Sequence, residues 1–258
     1  MAFFRSLLTA FSMYSRIPVP RLSWKEENLR YAIGLFPLVG VVIGLLSYGF
    51  IWISSGVLYG FPRAALYALI SLLISGGIHL DGYLDTSDAL SSFGERDKKL
   101  KILSDPHIGS FAVIRLLCYY LVLLAAYTMI EGNENWLRVS MGFYFSRILS
   151  GSASTLCRSA TREGTLFTFT DGAQKLWVRG ILIFQLILCA GLFLFTGIYA
   201  GSLILLANFG LIIYWRIVIY GSFGGITGDT AGFLSTLSEC VTAVAVAVWE
   251  LYGSRMAL

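Results

Sequence analysis

Asp81, Asp85 and Asp88 stand at positions i, i+4 and i+7 of the run His79-Leu80-Asp81-Gly82-Tyr83-Leu84-Asp85-Thr86-Ser87-Asp88-Ala89. On a helix, at about 100° per residue, these carboxylates fall within an arc of about 60° and form one acidic column. Like charges at that spacing repel unless a cation lies among them, and no basic residue occurs between Asp81 and Asp88. Hard oxygen ligands without a thiolate favour Mg²⁺ or Mn²⁺ over zinc or copper. The column is therefore a candidate site for such a divalent cation. Its bland reading is the solvated face of a surface helix, which the apolar run leading into it weakens. His79 reads either as a structural histidine or as a ligand or proton carrier.

A second constellation, Gly224-Gly225-Ile226-Thr227-Gly228-Asp229, precedes an apolar segment that contains Glu239. Closely spaced glycines let backbone amides approach an anion or a metal-bound phosphate, and Asp229 begins the last helix. A glycine-rich turn between two helices explains the run nearly as well. Glu239 lies inside the apolar segment, where an uncompensated carboxylate costs several kcal/mol. It is a further metal-ligand candidate, or an acid bonded to another helix. Arg147, in Phe145-Ser146-Arg147-Ile148, needs an anionic partner: a bound phosphate or an internal carboxylate. Arg158, Arg162, Lys175 and Arg179 read mainly as charges that fix membrane orientation, with Arg158 also a candidate phosphate contact. Asp105-Pro106-His107-Ile108-Gly109 adds an isolated acid, a weaker ligand candidate.

The elements that must position these residues are membrane helices. Of 258 residues, 57% are hydrophobic and 13% charged, against a typical charged share of about 25%. That excludes an ordinary soluble globule and a disordered chain, and a net charge of +4 gives no ground for nucleic acid. Seven segments approach the length of a crossing: 32–53, 64–80, 111–130, 137–157, 180–198, 201–220 and 231–252. The second and fourth are expected to face protein rather than lipid. With the N-terminus cytoplasmic, thirteen Lys and Arg lie inside and three outside. The acidic column and the glycine-rich run then border cytoplasmic connections. Phe3, Phe4, Leu7, Leu8 and Phe11 give the N-terminus an apolar face, read as an interfacial helix. Cys118, Cys157, Cys189 and Cys240 show no paired or zinc-type spacing and read as small core residues. The fold class expected is all-α: a polytopic transmembrane bundle of about seven spans with an N-terminal interfacial helix, forming a single domain over 1–258.

The acidic run, Asp105 to Gly109, and Gly224 to Asp229 continued by Thr230-Ala231-Gly232 together resemble the cobalamin synthase family, the adenosylcobinamide-GDP ribazoletransferases. Ser15-Arg16-Ile17-Pro18-Val19-Pro20 and Phe36-Pro37-Leu38-Val39-Gly40 look like the family's N-terminal and first-span motifs, so the resemblance covers nearly the whole chain. Departures are Ser91-Ser92-Phe93-Gly94, with one glycine, the bulky Phe233, and Thr236 where some relatives carry an acid. The resemblance implies transfer of adenosylcobinamide phosphate from adenosylcobinamide-GDP to α-ribazole or its 5′-phosphate, releasing GMP and requiring Mg²⁺, in cobalamin biosynthesis. Asp81, Asp85, Asp88, Asp229 and Glu239 are the expected metal ligands. Asp229 or His79 is the expected base for the attacking ribazole hydroxyl. Arg147, Arg158 and the backbone at Gly224, Gly225, Thr227 and Gly228 are expected on substrate phosphates. The setting implied is the bacterial cytoplasmic (inner) membrane, multi-pass, with the site facing the cytoplasm and the oligomeric state, homo-oligomer included, left open. A CDP-alcohol phosphotransferase and a cation transporter are the alternatives. The first lacks its tighter Asp-Gly-x-x-Ala-Arg arrangement here, and the second would spread its acids through the midplane.

Overall fold

The structure is a computed structural model and describes residues 2–23, 25–161 and 164–256. Helix α1 (Ala2–Tyr14) and the short α2 (Glu26–Leu29) and α3 (Ala32–Leu35) lead into α4 (Pro37–Ser54). Helices α5 (Gly60–Ser75) and α6 (Ile78–Ser91) follow, then α7 (Arg96–Ile102), α8 (Ser110–Met129) and α9 (Asn133–Leu156). After α10 (Thr165–Asp171) come three long helices: α11 (Lys175–Phe195), α12 (Ile198–Phe223) and α13 (Gly228–Met256). Among the described residues there is no β-strand; one isolated parallel bridge ties Ser159 to Ile226.

Local sequence explains the breaks. Pro37 opens α4, where its missing N–H is no loss. Gly76 and Gly77 both adopt left-handed φ, 67° and 80°, so the chain leaves α5 and re-enters a helix after a 95° bend. That bend turns the acidic run out of line with the apolar segment before it.

Helices α4, α8, α11, α12 and α13 are long and apolar enough to cross a membrane, and the bent pair α5–α6 would make six. The seven crossings expected from sequence are therefore met only in part: α5 has 16 residues and α9 is too polar to qualify by composition. Burial shows why α9 is polar. It packs against α4, α11 and α13 and buries Trp136, Arg138, Phe143, Arg147 and several serines, so it faces protein, as expected. Helix α5 does not. It buries only Ala64, Tyr67 and Ala68 and exposes Phe61, Leu66, Leu69 and Leu73.

Small residues bring the central helices close. A methyl group at Gly44 would meet the Ser140 carbonyl at 2.5 Å, and one at Gly40 would run into the Phe143 carbonyl, so α4 and α9 touch backbone to backbone. The Tyr67 hydroxyl continues the seam, 2.7 Å from Ser140 Oγ. Between α12 and α13, the Asn208 amide donates to Thr242 Oγ1 at 3.1 Å and accepts from Ser238 Oγ at 2.6 Å. Helix α1 buries Ser6, Thr9 and Ala10 and turns Phe3 and Phe4 outward. All four cysteines are free; Cys189 and Cys240 are buried, but Cys118 is exposed and Cys157 half-buried, so only two are core residues.

Candidate active site

The acidic column is helical, as its spacing requires: Asp81, Asp85 and Asp88 all lie on α6. Asp81 is exposed and the other two partly buried. The first turn of α13 reaches this column through a crossing of small residues. A methyl group at Gly82 would come within 2.7 Å of the Asp229 carbonyl oxygen and 2.9 Å of its Cα, and one at Gly232 within 3.3 Å of His79 Cα. Thr236 Oγ1 donates to the His79 carbonyl at 3.0 Å across the same seam. Asp229 is fixed by a reciprocal cap. The Thr227 amide donates to Thr230 Oγ1 at 2.8 Å, and the Thr230 amide to Thr227 Oγ1 at 3.3 Å.

Four acids thereby share one field. Burial first, and then the charges of Asp81, Asp229 and Asp88, push the Asp85 carboxyl up to about 6. None of the four forms an ion pair among the described residues. Among the same residues no three His, Cys, Asp or Glu side chains surround one ion-sized point. The four carboxylates are hard oxygen donors, the type of ligand of which Mg²⁺ takes one or two while phosphate oxygens and water complete its shell.

His79 is buried beside the column. Its ring stands edge-on to Phe36 at 5.3 Å and lies 6.1 Å from Tyr14, and its Nε2 has no hydrogen-bond partner among the described residues. A cavity of about 210 Å³ is lined by His79, Asp81, Asp229, Ser150 and Gly232. Asp229, Gly228 and Thr227 also line a second cavity of about 250 Å³, with Ser104 and Ser159. Arg158, Lys175 and Arg179 line a third, of about 390 Å³. Leu166 of α10 is a wall of all three.

Other expected residues lie elsewhere. Arg147 Nη1 is 2.7 Å from Glu239 Oε1 and 2.8 Å from the Phe143 carbonyl, so the two form a buried ion pair between α9 and α13. The expected metal ligand Glu239 is occupied by Arg147, and Arg147 has the internal carboxylate rather than a phosphate as its anion. The glycine-rich run divides by position. Gly224 ends α12 at φ 68° against the Arg96 guanidinium. Gly225 packs on residues 158–160, a methyl group there meeting the Arg158 carbonyl at 2.7 Å. Of the three glycines only Gly228 is among the described residues lining these cavities, with Thr227 beside it. The Arg158 amide donates to the Tyr220 hydroxyl at 3.0 Å, and its carbonyl accepts from Ile226 N at 2.9 Å. Asp105 accepts from the His107 amide and ring, at 2.9 and 2.7 Å, bonds that hold its carboxyl below the usual range. Its loop still borders the column, since Gly109 packs against the Asp88 carboxylate. Arg162 lies outside the described residues.

Sequence reasoning missed Gly82 and Gly232 as the crossing point, Leu166 as the shared wall, and Arg96, whose Nη2 donates to the Ala160 carbonyl at 3.3 Å. Glycines inside otherwise ordinary helical patterns were the available signal for the first two.

The chain is similar to known proteins over nearly its whole length. A family profile described as cobalamin-5-phosphate synthase matches residues 6–247. An adenosylcobinamide-GDP ribazoletransferase of Lachnoclostridium phytofermentans is 38% identical, covering 98% of each chain. Proteins of the same name from Pseudomonas fluorescens and Pseudomonas aeruginosa are each 32% identical, covering 96% and 95% of this chain and 100% and 98% of their own. No solved structure matches. With that profile spanning nearly its whole length, the chain belongs to the cobalamin-5-phosphate synthase family.

Proposed function

We propose that the chain is an adenosylcobinamide-GDP ribazoletransferase of cobalamin synthesis. The observation that supports this most directly is the convergence of Asp81, Asp85, Asp88 and Asp229 beside the cavity that His79 lines, in a chain of this family. A ribazole hydroxyl attacks the phosphorus that carries the cobinamide. The bond from that phosphorus to the bridging oxygen breaks, and GMP leaves with the electron pair. Bound Mg²⁺ supplies the positive charge that the transferred phosphoryl and the leaving group require. Asp81, Asp85, Asp88 and Asp229 are the residues that would hold it. His79 Nε2, a buried polar atom without a partner among the described residues, takes the hydroxyl proton. Because the acceptor's 5′ oxygen is the one that can carry a phosphate, the attacking hydroxyl is another one on the ribose with either acceptor. No observation favours a CDP-alcohol phosphotransferase or a transporter.

The same proposal extends to topology. Residues 1–258 form one integral-membrane domain of the bacterial inner membrane, α5 and α9 cross beside the five apolar helices, and α1 lies in the interface. The catalytic cavities face the cytoplasm, and the positive-inside distribution of Lys and Arg supports that orientation.

The test is GMP release by detergent-purified protein supplied with adenosylcobinamide-GDP, α-ribazole and Mg²⁺. GMP should form and a chelator should stop it; no GMP from folded protein with both substrates present would refute the assignment. Asp85→Asn should lower turnover about 100-fold or more while the protein still inserts and purifies.

A further inference from the structure

The three cations Arg158, Lys175 and Arg179 do more than set orientation: they line one cavity, about 390 Å³ in volume. Charges that serve only topology need no concavity, because each can project separately into water. Here no carboxylate is among the described lining residues, and none of the three cations is in an ion pair among the described residues. Lys175 and Arg179 belong to the first turns of α11, a helix of 21 residues whose N-terminal end adds positive potential. Arg179 is held in place, its Nε and Nη2 donating to the Thr155 carbonyl at 3.3 and 2.7 Å. Hydroxyls of Ser159 and Thr170 stand on the same walls.

The cavity also adjoins the acidic ones. Ser159 and Leu166 line both it and the cavity containing Asp229, and Leu166 continues into the cavity containing His79 and Asp81. Side by side, these cavities give the site a negative end and a positive end. A diphosphate neutralised by a cation suits the negative end. The positive end suits an anion that brings no metal with it, and a phosphomonoester carries about −1.5 to −2 at neutral pH.

We infer that the cavity of Arg158, Lys175 and Arg179 is a subsite for a phosphomonoester of the reacting pair, separate from the carboxylates that serve the diphosphate. This rests on the ribazoletransferase reading. Two groups have the required chemistry: a phosphate on a non-reacting hydroxyl of the acceptor, and the phosphate of released GMP.

The experiment compares wild type with Arg158→Gln and Lys175→Gln, both exposed side chains whose loss should leave the melting temperature unchanged. It measures kcat/KM for α-ribazole 5′-phosphate and for α-ribazole, together with inhibition by GMP. If the acceptor phosphate is the occupant, the preference for the phosphorylated acceptor falls about tenfold or more in each variant. If GMP is the occupant, that preference holds and GMP inhibition weakens by a similar factor. Unchanged preference together with unchanged GMP inhibition in both variants would overturn the subsite. Calorimetry with inorganic phosphate on wild type and both variants is the parallel arm. Should wild type release no GMP at all, the ribazoletransferase reading fails alone, and loss of phosphate binding in the variants, or its persistence, still decides the cavity.

Discussion

Asp85 is the middle acid of the column, raised first by burial and then by the charges around it, and its behaviour with pH follows. Its folded value of about 6 lies above the ordinary 3.8, so the folded state favours the protonated form. The stability this group contributes is fully present below pH 3.8 and is lost as pH rises through about 6. With chelator present at pH 7, Asp85→Asn should therefore melt higher than wild type, the gap closing below pH 4, and saturating Mg²⁺ should reverse the order. Differential scanning fluorimetry in detergent reads both. Two departures from the family pattern find their reason at this scale. Phe233 stacks on Tyr83 at 5.3 Å and 15°, and Thr236 spends its hydroxyl on the α6 backbone, so each helps dock α6 on α13. The acid types were legible in sequence because like-charge spacing is local; Glu239 was not, because its partner Arg147 is 92 residues away.

At the scale of elements, the site depends on how closely α6 and α13 approach. Gly82→Val should push the Asp229 backbone away, costing about 1–3 kcal/mol and most of the GMP release. Gly49→Ala, where nothing lies within 4 Å, should change neither. Melting and product assays on the pair separate the two outcomes. The ion pair between α9 and α13 makes a different prediction. Glu239→Leu alone strands a buried guanidinium and should cost about 3–5 kcal/mol, whereas Arg147→Met combined with Glu239→Leu should recover most of that loss and retain GMP release. An inactive but stable double variant would restore Arg147 to the substrate. The helices themselves were legible from apolar length and their breaks from paired glycines. The outward face of α5 was not, because a short apolar segment ahead of a polar turn looks the same whether protein or lipid covers it.

For the whole molecule, an odd number of crossings would put the termini on opposite sides of the membrane, which reporter fusions at each end should show. The chain also carries a built-in probe. Cys189 and Cys240 are buried, and Cys118, although exposed, lies on the apolar α8, which in the proposed topology is covered by lipid and out of reach of a charged reagent. Cys157 is different: half-buried at the end of α9, it lines the basic cavity with Arg216 Nη1 3.7 Å from its sulfur. A charged alkylating reagent should consequently leave a single adduct on the unaltered protein, visible by intact mass, and anything filling that cavity should slow its appearance.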